Sequence, residues 1–360
     1  MSKVTIQDVA AVAQVSPATV SRVLNGMSVK KDLAQRTYDA IESLGYEIKP
    51  KKKHIIEENI SLIGVIVPEI SSPFYSEIIS GILKQAQIYG YEVIIKSSES
   101  LQHKEKECLE QLTKLPLSAL IYYPIATIDT LYAMPFYKNK AVVIGGRENT
   151  DTPYAHVYFD NKKAGYLATK YLIKLGKKRI YYLAPIHQLE EPISNFKELA
   201  SLHQNSNSGF YVSLKRYEGY KDALLEENIP LDFDLISLCG YTWQDGYDAA
   251  RNLMTKMLDI DAIIAVNDIV ATGILKFLKE QGIRVPEDIS VIGYDNRSIA
   301  QISSPLLTTI DQNAFELGRQ CVINAIEQLN NNQVQNKCLD VDLIIRHSTA
   351  ATNASYTNKK

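Results

Sequence analysis

Cysteine is scarce in this chain, with four residues among 360. The four are far apart, form no C-x-x-C pair and have no histidines at the spacing of a metal site. This pattern argues against a disulfide framework and against a metal centre, so we expect no metal and no other cofactor. We expect all four to be buried thiols; they are Cys108, Cys239, Cys321 and Cys338.

Long apolar runs are missing too. No segment approaches the roughly 20 consecutive apolar residues of a membrane-spanning helix, and the chain begins on a charged, helix-forming segment rather than a signal peptide. We therefore expect a cytoplasmic protein with no membrane partner. The length of 360 residues is enough for two or three folded units.

Common enzyme motifs are absent as well. The chain contains neither the phosphate-binding pattern G-x-x-x-x-G-K-[ST] nor the nucleophile pattern G-x-S-x-G. A sugar hydrolase or a kinase is therefore a weak alternative, and we expect a binding protein that is not an enzyme.

The informative residues begin at the amino end, where two short helices are predicted. Thr5 to Asp8 has the spacing of a capping box, and apolar residues follow at helical spacing as far as Ala13. After a turn, Ser16 can cap a second helix that starts at Pro17, and Asn25-Gly26 ends it.

The second helix has two different sides. At about 100° per residue, Val20, Val23 and Leu24 share an apolar side, which leaves small and polar residues on the other. A third helix is predicted from Asp32 to Leu44. These helices could form a small subdomain that only packs on a larger one. The charge distribution instead favours contact of this end with nucleic-acid phosphates. Residues 1–53 carry a net charge of +4, whereas the whole chain carries −2.

The segments Val4 to Ala10, Val15 to Asn25 and Leu44 to Tyr46 form one dense pattern. It resembles the DNA-binding headpiece of the lactose/galactose-repressor (LacI/GalR) family. The resemblance implies a helix-turn-helix whose base-reading residues in the major groove are Pro17, Ala18 and Arg22. It implies phosphate contacts for Thr5, Ser16, Thr19, Ser21 and Asn25.

The chemistry of the base-reading set singles out one residue. The guanidinium of Arg22 is a bidentate donor that fits the two acceptors of guanine. Pro17 and Ala18 have no hydrogen-bonding side chain and can make only apolar contacts. We therefore expect Arg22 to dominate base recognition.

From Leu62 onward, short β-branched runs alternate with amphipathic stretches, which is typical of parallel sheets with crossover helices. The resemblance extends through this region, in Asp160 to Gly165, Arg216 to Tyr220, Asn267-Asp268, Val285 to Asp295 and Pro305 to Ile310. It implies an α/β core of two Rossmann-like lobes, similar to periplasmic binding proteins, with the ligand between them.

The resulting domain prediction has three parts, with chain crossings between the lobes near Asp160, Asp295 and Asp340. They are an all-α headpiece over residues 1–47, a hinge or linker over 48–60, and an effector-binding core over 61–350. Within the core we expect an N-lobe of 61–160 and 295–325 and a C-lobe of 161–294 and 326–350.

Ligands of open parallel sheets bind beyond the carboxyl ends of the strands, and several polar and aromatic side chains follow such ends here. By position in the family pattern, the effector-binding residues are Phe74, Arg216, Tyr241, Asn267 and Asp295. Carboxylate, amide and guanidinium groups can hydrogen-bond sugar hydroxyls, while an aromatic ring covers the C–H face. Each has a structural alternative: Asp295 as a cap, Phe74 as core, and Arg216 as an ion-pair partner.

Two segments depart from the family pattern. In the hinge only the apolar wedge, Ile55, is partly kept; Lys51, Lys52 and Lys53 could follow phosphates beside it in the minor groove, or the segment is a solvated basic linker. Residues 187–210 are an insertion near the cleft, for which we expect a disordered loop, with a lid as the alternative.

The leading hypothesis is a homodimeric transcriptional regulator, more specifically a repressor of carbohydrate-utilisation genes. It would bind a pseudo-palindromic double-stranded operator with an affinity set by a sugar-like effector in the cleft. A solute-binding protein is the other alternative, although it would require a secretion signal and would have no use for Arg22.

Overall fold

The computed structural model describes residues 4–24, 29–44, 46, 61–125, 128–148, 152–186, 193, 195–201, 211–256, 259–331 and 333–351. The chain divides into a small unit, Met1–Asn59, and a large unit, Ile60–Lys360. The proposed hinge over 48–60 lies outside the described residues.

In its described part, the small unit consists of α1 (Ile6–Ala13), α2 (Pro17–Leu24) and α3 (Lys31–Ser43). The predicted capping box is present, because the Thr5 hydroxyl accepts a hydrogen bond from the N–H of Asp8 (3.4 Å) and the Asp8 carboxylate accepts one from the N–H of Thr5 (2.7 Å). The three helices share one apolar core, made of Val9, Ala10, Ala13, Val20, Ala40 and Ile41.

The large unit alternates strands and helices. Its strands are β1 (Leu62–Val67), β2 (Glu92–Ser97), β3 (Leu117–Tyr122), β4 (Ala141–Gly145), β5 (Ala155–Phe159), β6 (Ile180–Pro185), β7 (Ile236–Cys239), β8 (Ala262–Ile264), β9 (Ser290–Tyr294), β10 (Thr308–Asp311), β11 (Lys337–Leu339) and β12 (Asp342–Ile344). Its helices are α4 (Pro73–Ile88), α5 (Gln102–Leu112), α6 (Asp129–Tyr132), α7 (Asn161–Lys174), α8 (Phe196–Ser201), α9 (Tyr211–Glu226), α10 (Trp243–Thr255), α11 (Asp268–Glu280), α12 (Ser298–Ile302) and α13 (Ala314–Asn331).

These strands form two six-stranded sheets, with the orders β11-β5-β4-β3-β1-β2 and β12-β10-β9-β8-β6-β7. Neighbouring strands are parallel, except that β12 runs antiparallel to β10. Parallel neighbours require crossover connections, which the helices supply. The predicted pair of Rossmann-like lobes is confirmed.

The predicted division of the later chain between the lobes is wrong in two places. Residues 295–311 were expected in the N-lobe, but β10 pairs with β9 and therefore extends the C-lobe sheet. Residues 326–339 were expected in the C-lobe, but β11 pairs with β5 of the N-lobe. The second crossing thus lies between β10 and α13 rather than near Asp295.

A close helix contact explains why all of α13 belongs to the N-lobe. Gly81 of α4 faces α13 so tightly that a Cβ there would lie 2.0 Å from the carbonyl oxygen of Phe315. Gly318 of α13 faces Ile78 of α4 in the same way. The two glycines let the helix backbones touch, which fixes α13 against the N-lobe.

Two further expectations need correction. Cys338 is exposed, because it lies on the edge strand β11, whereas Cys108, Cys239 and Cys321 are buried as predicted. Within the insertion 187–210, the described part includes a packed helix, α8, rather than a disordered loop. Phe196 and Leu199 are buried there, and the Phe196 ring lies 4.6 Å from the ring of Tyr217.

No helix in the described ranges combines the length and apolar character that a membrane crossing requires.

Candidate functional sites

The helix α2 presents the predicted base-reading residues to solvent. Its N-terminus is capped by Ser16, whose hydroxyl accepts a hydrogen bond from the N–H of Thr19 (3.1 Å). Val20 and Val23 are buried against the other helices, while Pro17, Ala18 and Arg22 are exposed. The side of α2 that carries Arg22 is therefore accessible to a partner.

The predicted phosphate contacts have more varied surroundings. The Thr5 hydroxyl donates a hydrogen bond to the Asp8 carboxylate (2.7 Å), and this bond lowers the pKa of Asp8. The hydroxyls of Ser16 and Thr19 lie 2.9 Å apart, and Ser21 is half-buried. Asn25 lies outside the described residues, as do Lys51, Lys52, Lys53 and Ile55.

Arg36, for which the sequence predicted no structural role, holds the turn between α1 and α2. Gln14 ends α1 with φ 50°, in the left-handed region. Arg36 of α3 donates hydrogen bonds to the carbonyl oxygen of Gln14 (3.2 Å) and to its side-chain oxygen (3.3 Å). Arg36 therefore orients α2 relative to α1, although the charge count alone suggests a DNA contact.

In the large unit, four of the five predicted effector-binding residues follow the carboxyl ends of strands. Phe74 lies in the first turn of α4, after β1; Tyr241, Asn267 and Asp295 follow β7, β8 and β9. Arg216 comes instead from α9. The second lobe thus contributes most of the polar groups, and the first lobe contributes an aromatic ring.

Asn267 has a structural role in the second lobe. Its side-chain oxygen accepts a hydrogen bond from the N–H of Val270 (2.7 Å) and caps α11. Its side-chain NH₂ donates to the carbonyl oxygen of Tyr241 (3.4 Å). Asn267 therefore holds the loop that carries Tyr241, and one of its amide hydrogens has no acceptor among the described residues.

Arg216 is buried and makes several bonds within the protein. It donates to the side-chain oxygen of Asn161 (3.2 Å), the carbonyl of Val266 (2.9 Å) and the side-chain oxygen of Gln312 (3.0 Å). Its guanidinium also lies 4.1 Å from the centre of the Tyr294 ring. Of the two roles predicted for Arg216, the structural one is therefore present, with neutral partners in place of an acid.

Asp295 differs from its neighbours because its carboxylate is not hydrogen-bonded to any described residue, although the residue is only 8% exposed. Its backbone has φ 95°, an unusual conformation for a residue other than glycine. Burial raises the pKa of Asp295 to about 6, and the nearby Arg216 opposes this rise. Its carboxylate oxygens can therefore accept hydrogen bonds from a bound molecule.

Asp268 lies beside this carboxylate and is fully buried. Its oxygens accept hydrogen bonds from the Thr309 hydroxyl (2.6 Å) and from the N–H of Arg297 (2.7 Å). Burial raises the pKa of Asp268 well above its usual value, and the charge of Asp295 raises it further. Burial therefore disfavours ionisation of both carboxyl groups.

The first lobe brings a second aromatic residue to this cluster. The Tyr75 ring lies edge-on to the Phe74 ring, with 5.4 Å between centres. Burial raises the pKa of Tyr75, and Tyr241 and Asp295 of the second lobe raise it further. The Tyr75 ring also lies edge-on to the Tyr123 ring, with 6.0 Å between centres. The sequence analysis missed it because one tyrosine among 22 carries little weight, although its position beside Phe74 was a usable signal.

Tyr241 is partly exposed to solvent, but its hydroxyl lies in a buried environment. The residue is 36% exposed, yet burial around its hydroxyl raises its pKa to about 12, with Arg216 opposing this rise. Its phenol is therefore a neutral donor and acceptor at any physiological pH. Phe74 and Tyr75 in the first lobe, and Tyr241 and Asp295 in the second, thus all follow the carboxyl ends of strands.

Two family descriptions match this chain. Residues 5–48 match "Bacterial regulatory proteins, lacI family", and residues 61–347 match "Periplasmic binding proteins and sugar binding domain of LacI family". The HTH-type transcriptional regulator RegA of Clostridium acetobutylicum is 33% identical over 350 residues, covering 95% of this chain and 98% of that protein.

Solved structures agree over nearly the whole length. The lac repressor dimer bound to operator and the anti-inducer ONPF has a TM-score of 0.69 at 25% identity, with 97% of this chain and 100% of that chain covered. The complex of the transcriptional regulator CelR with cellobiose has a TM-score of 0.68 at 25% identity, with 96% and 100% covered.

Proposed function

This chain belongs to the LacI family of bacterial regulatory proteins, and from that premise we propose that it represses carbohydrate-utilisation genes in response to a sugar-like effector. The chain is a DNA-binding transcriptional regulator with a periplasmic-binding-protein-like core, and it is not an enzyme. Its place of action is the cytoplasm, where operator DNA is found.

The observation that carries the effector proposal is the carboxylate of Asp295, which has no hydrogen-bond donor within the part of the chain that the structure describes. A buried carboxylate without a donor is costly unless a ligand supplies one. Sugar hydroxyls are such donors, and the rings of Phe74 and Tyr241 suit the C–H face of a pyranose. The similarity to a cellobiose-bound regulator supports the same class of ligand.

The DNA-binding part of the proposal rests on α2. Arg22, Pro17 and Ala18 would meet base edges in the major groove, while Thr5, Ser16, Thr19, Ser21 and Asn25 would contact phosphates. Since the similar lac repressor binds its operator as a dimer, we propose a homodimer on a pseudo-palindromic site. The effector then acts by stabilising one arrangement of the two lobes, which shifts the population of DNA-binding dimers.

For the segment that follows, we propose that Lys51, Lys52 and Lys53 contact phosphates while Ile55 enters the minor groove. Replacing the three lysines by alanine should reduce the slope of log affinity against log salt by about 3. A slope equal to that of the unmodified protein would place these lysines away from the DNA.

The effector proposal is tested by thermal unfolding of the full-length protein with a panel of sugars that starts with cellobiose. We expect at least one sugar to raise the midpoint of the large unit and Asp295→Asn to abolish that rise. Asp259→Asn, at an exposed aspartate of the same lobe, is the matched control and should keep it. If Asp295→Asn responds like the unmodified protein, Asp295 is not the sugar acceptor.

A further inference from the structure

Arg297 is a buried arginine that neither the sequence pattern nor the proposed effector site explains. It follows Asp295 by two residues, just before α12, and is 6% exposed. Burial of a guanidinium is costly unless its donors are satisfied. The groups that Arg297 contacts therefore indicate its role.

Most of these partners lie around Asp295. The guanidinium donates to the carbonyl oxygen of Asp295 from Nε (2.8 Å) and also from Nη2. Nη2 donates as well to the carbonyl oxygen of Gln312 (2.8 Å), in the segment that crosses between the lobes after β10. The backbone N–H of Arg297 donates to Asp268 (2.7 Å). Arg297 thus holds the backbone of Asp295 in its unusual conformation.

The remaining terminal nitrogen reaches the other lobe. Nη1 of Arg297 forms an ion pair with the Oε2 atom of Glu77. Glu77 is on α4, one turn after Phe74, and its side chain is 50% exposed. One side chain therefore connects the loop of Asp295 to the helix that carries the aromatic wall.

We propose that Arg297 is a positioning residue that couples the Asp295 loop of the second lobe to α4 of the first through Glu77. A change in the Asp295 loop displaces the guanidinium and changes the ion pair with Glu77. By thermodynamic reciprocity, loss of the ion pair loosens the Asp295 loop. The use of this coupling by an effector rests on the proposed function, whereas the coupling itself does not.

The test is hydrogen–deuterium exchange of the full-length protein without any ligand, comparing the unmodified chain with Glu77→Gln. The amides of Asp295 and Arg297 donate to Ile310 (2.8 Å) and Asp268 (2.7 Å), so their exchange reports opening of the loop. We expect exchange over residues 295–297 to rise about two- to five-fold in Glu77→Gln, the range of a half-exposed ion pair. A purely local role for Glu77 would change exchange only within α4.

The matched control is Glu110→Gln, which neutralises an exposed glutamate on α5 of the same lobe and should leave exchange over 295–297 unchanged. The reciprocal variant, Arg297→Lys, should raise exchange in the first turns of α4. Unchanged exchange at 295–297 in Glu77→Gln would overturn the proposal. A failure to find a sugar effector would contradict the proposed function instead, since no sugar is present in this experiment.

Discussion

The outward side of α2 and the interlobe cleft differ in whether their proposed binding residues also stabilise the fold. Arg22, Ala18 and Pro17 are exposed on a helix whose stability depends on the buried residues of its other side. In the cleft, Arg216 and Asn267 are held by bonds to neighbouring residues and in turn hold others. In the proposed function, recognition and stability are therefore carried by separate residues in α2 and by the same residues in the cleft.

The largest effect that this contrast predicts is for Arg216→Ala. The variant removes three hydrogen bonds and a stacked guanidinium from a buried position and leaves their acceptors unsatisfied. We expect the free energy of unfolding of the large unit to fall by about 3 kcal/mol or more in urea titrations. Arg251→Ala, at an exposed position of α10, should cost less than about 1 kcal/mol. If both variants lowered the free energy of unfolding equally, Arg216 would not have the structural role assigned to it.

The next largest effect concerns Asp295→Asn and has the opposite sign. Because burial raises the pKa of Asp295 from 3.8 to about 6, the folded state binds a proton more tightly than the unfolded chain, and stability falls as pH rises through 6. Removing the carboxylate should therefore stabilise the large unit at pH 7 by about 2–3 kcal/mol, and the gain should disappear below pH 4. Measuring unfolding from about pH 3 to about pH 8 decides this; a gain independent of pH would refute the assigned cause.

The smallest effect on stability is expected in α2. Arg22→Ala should leave unfolding of the small unit within about 0.5 kcal/mol, yet lower the preference for operator over scrambled DNA by about 1–3 kcal/mol in binding assays. The control is Arg36→Ala, which removes the bonds to Gln14. It should weaken both kinds of complex and the fold itself, with little change in their ratio. A stable Arg36→Ala protein that loses only specificity would reverse the assignments of the two arginines.

The same contrast explains which features the sequence could predict. The helices of the small unit depend on local signals, such as the Thr5 cap and the apolar spacing to Ala13, and these were found within a residue or two. Alternating strands and helices predicted parallel sheets, whereas the division into two lobes was implied by the resemblance to the LacI/GalR family. The lobe to which β10 belongs was predicted wrongly, because its place in the C-lobe depends on pairing with β9 rather than on its own apolar character.

The strand-end rule placed Tyr241, Asn267 and Asp295 directly after strands, where the structure has them, but it did not predict which of these residues also stabilise the fold. Asn267 was expected to serve a ligand, and in the structure its side chain caps α11. Arg297 and Gln312 gave no local signal, since their importance comes from partners far away in the sequence. Long-range polar networks are properties of the folded chain and have no periodicity to detect.

The most direct test of the account is a titration of the operator complex with a sugar identified by thermal unfolding, monitored by fluorescence anisotropy. The account predicts that the sugar shifts operator affinity of the unmodified protein, that Asp295→Asn binds operator but no longer responds, and that Arg22→Ala loses operator preference in the presence or absence of sugar. An Asp295→Asn protein that responds fully to the sugar, or an Arg22→Ala protein that keeps its operator preference, would contradict it.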